Sequence, residues 1–190
     1  MKRGHLIIVS APSGSGKSTI INEIIKDESL RLQFSISATN RPPRRGEADG
    51  VNYYFLSTEQ FKAAIENDEL IEYEEVYPGR YYGTLRKEIE RICGNGNNAI
   101  LDIDVKGAVN VMKQFGADAT SIFIKPPSID ALRHRLLSRG TEEVEAINQR
   151  VSKAEYELSF ADRFAHVVVN DVLRTAIDEV HAIIKECIEK

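Results

Sequence analysis

One stretch constrains this chain more than any other: Ala11-Pro12-Ser13-Gly14-Ser15-Gly16-Lys17-Ser18-Thr19, set between an apolar run (Leu6-Ile7-Ile8-Val9) and a helical pattern (Ile20, Ile21, Ile24, Ile25). A strand, a small-residue loop and a helix start bring several backbone N–H groups to one point beside a positive helix end, which makes an anion cradle. Gly14 and Gly16 permit backbone conformations and close approaches that a Cβ would obstruct. Lys17 then reaches β- and γ-phosphates, and the Ser18 hydroxyl can hold Mg²⁺. The general pattern, G-x-x-x-x-G-K-[ST], has glycine where this chain has Ala11; the change is mild provided residue 11 keeps a negative φ. A plain Gly/Ser-rich turn has no need of Gly16-Lys17-Ser18-Thr19 in this setting. The loop reads as a nucleoside triphosphate site.

Around it lie 190 residues, 42% hydrophobic and 28% charged, with 25 Lys+Arg against 29 Asp+Glu. That is material for one core carrying one or two insertions. A net charge of −4 without a sustained basic patch argues against a nucleic-acid partner. No apolar run reaches the ~18 to 20 residues that span a bilayer, and the apolar residues after His5 are too few for a signal peptide. Cys93 and Cys187 cannot make a disulfide framework, and His5, His134, His166 and His181 are too scattered for zinc. The expectation is a cytoplasmic α/β protein acting on small molecules, with no membrane partner.

Four apolar runs, Leu6–Val9, Ala99–Leu101, Ile122–Ile124 and Val167–Val169, lack polar alternation, as strands covered on both faces do. Helical patterns follow them. The clearest carries Leu173, Ala176, Ile177, Val180, Ile183, Ile184, Cys187 and Ile188 on one stripe, with Asp171 where an N-cap would stand. The alternation predicts a parallel sheet wrapped by right-handed crossovers. Two segments break it. From about Phe34 to Gly83 come short strands (Phe34–Thr39, Asn52–Leu56, Leu70–Val76) and a helix over Thr58–Glu66 opened by the capping box Ser57-x-x-Gln60, a small α+β insertion. From Arg139 to about Arg150 a helix restarts after Gly140, with Thr141 as its N-cap.

Other residues add chemistry to the loop. Ala99-Ile100-Leu101-Asp102-Ile103-Asp104 is an apolar strand ending in carboxylates, a Walker-B arrangement; spaced by two, both acids point to one side of an extended chain. Either could instead cap the next helix. Arg41-Pro42-Pro43-Arg44 holds two guanidiniums on a stiff segment, suited to a second phosphate dianion, and Tyr53 and Tyr82 can each add a hydroxyl.

Phe34-Ser-Ile-Ser-Ala-Thr-Asn-Arg41-Pro-Pro-Arg44-Arg-Gly-Glu47, Asn52-Tyr53-Tyr54-Phe55, Glu72, Tyr81-Tyr82-Gly83-Thr84 and Ile100-Leu-Asp-Ile-Asp104 resemble guanylate kinase, in the same order. The likeness runs on through Ile124-Lys125-Pro126-Pro127-Ser128, Arg139-Gly140-Thr141-Glu142 and Val169-Asn170-Asp171, nearly the whole chain. It implies a P-loop core with a parallel sheet (1–35, 88–138 and 151–190), an inserted α+β GMP-binding region (36–87) and a helical lid (139–150). By that resemblance residues 11–19 with Arg135, Arg139 and Asn170 bind ATP. Ser37, Arg41, Arg44, Tyr53, Glu72, Tyr82, Thr84 and Asp104 bind GMP. Lys17, Arg41, Arg139 and Arg150 serve the transfer itself.

Mg²⁺ would sit on Ser18 and, through water, on Asp102, and the family leaves room for K⁺ near Asp102 or Asp104. The implied reaction is MgATP plus GMP, or dGMP, to ADP and the diphosphate, in purine nucleotide metabolism. Guanine presents N1–H and N2–H₂ as adjacent donors, which an ionised Glu72 accepts together; adenine has no such pair. Thr84 stands where the family often has Ser, and Asn40 follows Thr39 where Thr-Thr is commoner. Another phosphoryl acceptor, a non-catalytic binding module and a plain ATPase remain open, as does the choice between monomer and homodimer.

Overall fold

The computed structural model describes residues 3–138 and 144–189. Along the chain run β1 (Leu6–Ser10), α1 (Lys17–Ile24), β2 (Leu32–Phe34), β3 (Ala38–Thr39), β4 (Tyr54–Phe55), α2 (Thr58–Glu66), β5 (Leu70–Tyr77), β6 (Arg80–Leu85), α3 (Arg86–Gly94), β7 (Asn98–Asp102), α4 (Val105–Phe115), β8 (Ala119–Lys125), α5 (Ile129–Ser138), α6 (Val144–Leu158), β9 (His166–Val169) and α7 (Leu173–Glu189).

Five strands pair in parallel in the order β2-β7-β1-β8-β9. Because side chains alternate across a strand, β1 feeds two cores. Ile7 and Val9 pack with Ile20, Ile21 and Ile24 of α1 and Ala176, Val180 and Ile184 of α7. Leu6 and Ile8 face Ile89 and Ile92 of α3 and Val105, Ala108 and Val111 of α4. Burial on both faces explains the missing polar alternation. The expected three-layer α/β architecture is the one observed. The fifth strand, β2, escapes the sequence pattern because it is a three-residue edge strand whose Phe34 stays exposed.

The expected strand Phe34–Thr39 is therefore two strands in different sheets. Ala38–Thr39 begins a second sheet, β4-β3-β6-β5, in which β3 pairs with β4 in parallel and the other neighbours run antiparallel. Asn52–Leu56 shortens to Tyr54–Phe55, since the Asn52 side-chain oxygen closes a turn by accepting from the Ala48 N–H at 2.9 Å. The capping box forms as expected: Ser57 Oγ accepts from the Gln60 N–H, and Gln60 Oε1 accepts from the Ser57 N–H. Helix α7 starts at Leu173 and its first N–H bond reaches the Val172 carbonyl, so the cap falls on Val172 rather than Asp171.

Glu88 of α3 ties the two sheets together. It is 1% exposed and accepts from the Tyr54 hydroxyl (2.9 Å), the Ile36 N–H (3.3 Å) and the Arg91 guanidinium (2.9 Å). Among the described residues no helix is long and apolar enough to cross a membrane.

Candidate functional site

Loop 11–16 leaves β1 at the carboxyl end of the sheet and enters α1. Gly14 and Gly16 take φ of 89° and 88°, and a Cβ on Gly16 would come within 2.4 Å of Asn170 Nδ2. Among the described residues only Arg31 and Asp68 take positive φ without being glycine, so Ala11 keeps the ordinary backbone that makes its substitution mild. Residues 11–19, with Asp102, Ile103, Asp104 and Glu157, border a cavity of about 370 Å³. Lys17 Nζ forms an ion pair with Asp102 Oδ1 inside it.

Two of the residues read as ATP ligands brace this loop. Asn170, at the end of β9, donates from Nδ2 to the Ser15 carbonyl at 2.8 Å, and Arg135 Nη2 donates to the Asn170 carbonyl at 2.8 Å. Arg150, on α6, places Nη1 3.5 Å from Ser13 Oγ. Arg139 and Thr141 lie outside the described residues. Ser18 and Asp102 border the same cavity. One hydroxyl and one carboxylate, with space left for water and phosphate oxygens, form the sparse hard-oxygen set that Mg²⁺ takes. These residues fit the ion.

On the second sheet, the guanidinium of Arg41 is buried and fully engaged. Nη1 and Nη2 donate to Glu47 Oε2 and Oε1 at 2.6 and 2.7 Å, and Nε to Tyr82 Oη at 3.2 Å. Its carbon lies 4.9 Å from the centre of the Tyr53 ring, which in turn meets Tyr82 edge-on. The Arg41 fork and the Arg44 N–H hold the Glu47 carboxyl down to about 2. Arg44 itself is exposed, and its N–H donates to Glu47 Oε2 at 2.7 Å. The arrangement is a cradle of guanidinium and phenol groups held shut by a carboxylate. Ser37 is half-buried, and its carbonyl accepts from the Tyr54 N–H.

Between the two cradles lies a cluster of acids. Glu72 on β5 accepts from Thr84 Oγ1 at 2.7 Å. Burial pushes the Glu72 carboxyl up to about 7, opposed by the Thr84 hydrogen bond and reinforced by the charge of Asp104. Asp104 does cap α4, its Oδ1 accepting from the Gly107 N–H at 2.8 Å, so it has left the extended strand that ends at Asp102. It is nonetheless not spent as a cap. A hydrogen bond to Asp104, then burial, raise the Glu74 carboxyl. Burial alone would raise Asp104, but hydrogen bonds from Glu74 and from the Gly107 and Lys106 N–H groups outweigh it and hold Asp104 low.

Sequence reasoning missed four of these residues. Glu47 was visible in the motif but without a role. Glu74 looked like one more acid in the run Glu69–Glu75. Gly107 matters because a Cβ there would come within 2.8 Å of Glu72 Oε2. Nothing local marks Glu157, which reaches the cavity only through the packing of α6.

The guanylate kinase family model matches residues 3–187. A guanylate kinase of Bacteroides thetaiotaomicron is 54% identical over 187 residues, 98% of this chain and 91% of that protein. One of Porphyromonas gingivalis is 51% identical over 185 residues, 97% and 98% of the two chains. The crystal structure of guanylate kinase from Anaplasma phagocytophilum superposes with a TM-score of 0.75 at 30% identity, covering all of this chain and 89% of that one.

Proposed function

The chain belongs to the guanylate kinase family, and from that premise we propose that it transfers the γ-phosphoryl group of ATP to GMP, and to dGMP, giving ADP and the nucleoside diphosphate. The observation that carries this reading is the shared turn at residues 102–104. Asp102 pairs with the loop lysine, while Asp104, on the wall of the same cavity, acts on the carboxyl of Glu72. A donor cradle and a purine-reading carboxylate thus meet at one turn.

Each cradle is closed on itself by a carboxylate, and substrate binding exchanges partners. Lys17 leaves Asp102 for the β- and γ-phosphates, whose remaining oxygens take the loop N–H groups. Ser18 and, through water, Asp102 would hold the Mg²⁺ that accompanies ATP, which would supply charge neutralisation there. Arg41 exchanges Glu47 for the GMP phosphate, with Arg44, Tyr53 and Tyr82 beside it. Glu72 and Thr84, with Asp104 and Ser37, read the guanine. Arg135, Arg139 and Arg150 close over the donor and keep water out, which suppresses transfer to solvent. The acceptor oxygen is already anionic near pH 7, so no side chain needs to act as base. Positioning and charge compensation lower the barrier.

We infer a cytoplasmic location, a setting in which the free thiols of Cys93 and Cys187 stay reduced. A coupled assay of ADP release with GMP, dGMP, AMP, UMP and ribose phosphates tests the assignment. Turnover confined to guanine monophosphates is the expected outcome; equal rates with AMP, or fast ATP hydrolysis without any acceptor, would overturn it.

A further inference from the structure

Helix α6 reaches the phosphate loop with a second side chain besides Arg150. Glu157 is 6% exposed, yet it forms part of the wall of the loop cavity. Among the described residues its Oε2 has no hydrogen-bond partner. Lys153, one turn earlier and well exposed, stands 3.7 Å from Oε1. The Ser13 N–H and the charge of Lys17 also favour its ionised form, while the charge of Asp104 disfavours it. Burial outweighs these and pushes the carboxyl above the usual range. The charges that act on it come from three elements: Lys17 from α1, Lys153 from α6 and Asp104 from the start of α4. A buried carboxylate oxygen without a partner is costly and calls for an explanation, all the more where the fold has built a receptor for anions.

We propose that Glu157 is a positioning residue of the donor site, a resident anion in the wall of the loop cavity that balances Lys17 and Lys153 and opposes the incoming phosphates with its own charge. The inference rests on reading the loop as the ATP site. Its consequence is a donor affinity below what the loop alone would give. Because the opposed carboxylate and Arg150 stand on one helix, donor arrival acts directly on the element that carries an arginine of the site.

Glu157→Gln keeps an acceptor for the Ser13 N–H and removes the charge. Calorimetric titrations of wild type and variant with ATP, ADP and AMP, at fixed ionic strength and without GMP, read the effect. Affinity for ATP should rise about fivefold, with a smaller gain for ADP and the least for AMP, because Coulomb energy scales with the phosphate charge near residue 157. Glu157→Ala, which also removes the acceptor, should show the same grading at lower overall affinity. Thermal melting verifies that both variants are folded. Unchanged affinities, or an equal loss for all three nucleotides, would overturn the proposal, since a merely structural role has no reason to count phosphates. GMP-dependent ADP release by the wild type, measured alongside, separates the two readings. Its absence with ATP binding intact removes the GMP assignment and leaves the resident anion standing; a wild type that binds no ATP removes both.

Discussion

Burial pushes the Glu72 carboxyl up to about 7. Guanine offers two donors that only the carboxylate accepts together, so GMP binding must favour the ionised form and release a proton. Titration with GMP at pH 7 in buffers of different ionisation heat should show that release. Affinity should weaken as pH falls below about 7, and Glu72→Gln should remove the dependence. Thr84 donates a hydrogen bond that lowers this pKa, so Thr84→Val should move the weakening to higher pH. The sign for stability is opposite. A carboxyl raised by folding costs nothing below its ordinary value of 4.5 and most above about 7, so the free protein should lose stability across that interval, measured as melting temperature against pH. Lys17 is a separate case, because its role in holding the fold is small. Lys17→Ala should lower turnover by about 10²- to 10³-fold, yet cost no more than about 1 kcal/mol in thermal unfolding, since its partner Asp102 keeps access to water.

The first turn of α4 does the work of an element rather than of one residue: Asp104 caps it, and Gly107 leaves the space that Glu72 occupies. A methyl at 107 would meet the far end of a movable side chain, not backbone. Gly107→Ala should therefore barely change the melting temperature while weakening GMP binding about tenfold or more, with ATP affinity measured in parallel as the control. That turn also marks where sequence reasoning stops. The loop after β1, the capping box of α2 and the apolar stripe of α7 were legible because each is a local pattern with a local physical cause. Edge strand β2 was not, since three residues with an exposed Phe34 carry no periodicity. Asp102 and Asp104 were both found, but the change from strand to cap between them depends on where β7 ends. Glu47 and Glu157 belong to the site only through partners 6 and 144 positions away, Arg41 and Ser13, and one chain read alone does not display such pairings.

Across the whole molecule, each cradle is carried by its own sheet, and the sheets are joined by the Glu88 network and by the turn at 102–104. Within the protein itself Lys17 pairs with Asp102 and Arg41 with Glu47, and Glu72 accepts from Thr84. On the proposed function a first nucleotide would break one of these closures beside the turn both sites share, and the second would then meet a smaller reorganisation cost. Repulsion between the two phosphate groups works against this, and the cations Lys17, Arg41 and Arg150 offset it. If the offset is sufficient, saturating GMP should tighten binding of a non-hydrolysable ATP analogue about fivefold, and the analogue should tighten GMP by the same factor. Arg150 places Nη1 3.5 Å from Ser13 Oγ in the loop, so Arg150→Ala should bring the factor to unity or below while leaving GMP binding alone nearly unchanged. Titrations in both orders measure it. Independent binding in the wild type would mean that the turn at 102–104 joins the two cradles in space without joining them in energy.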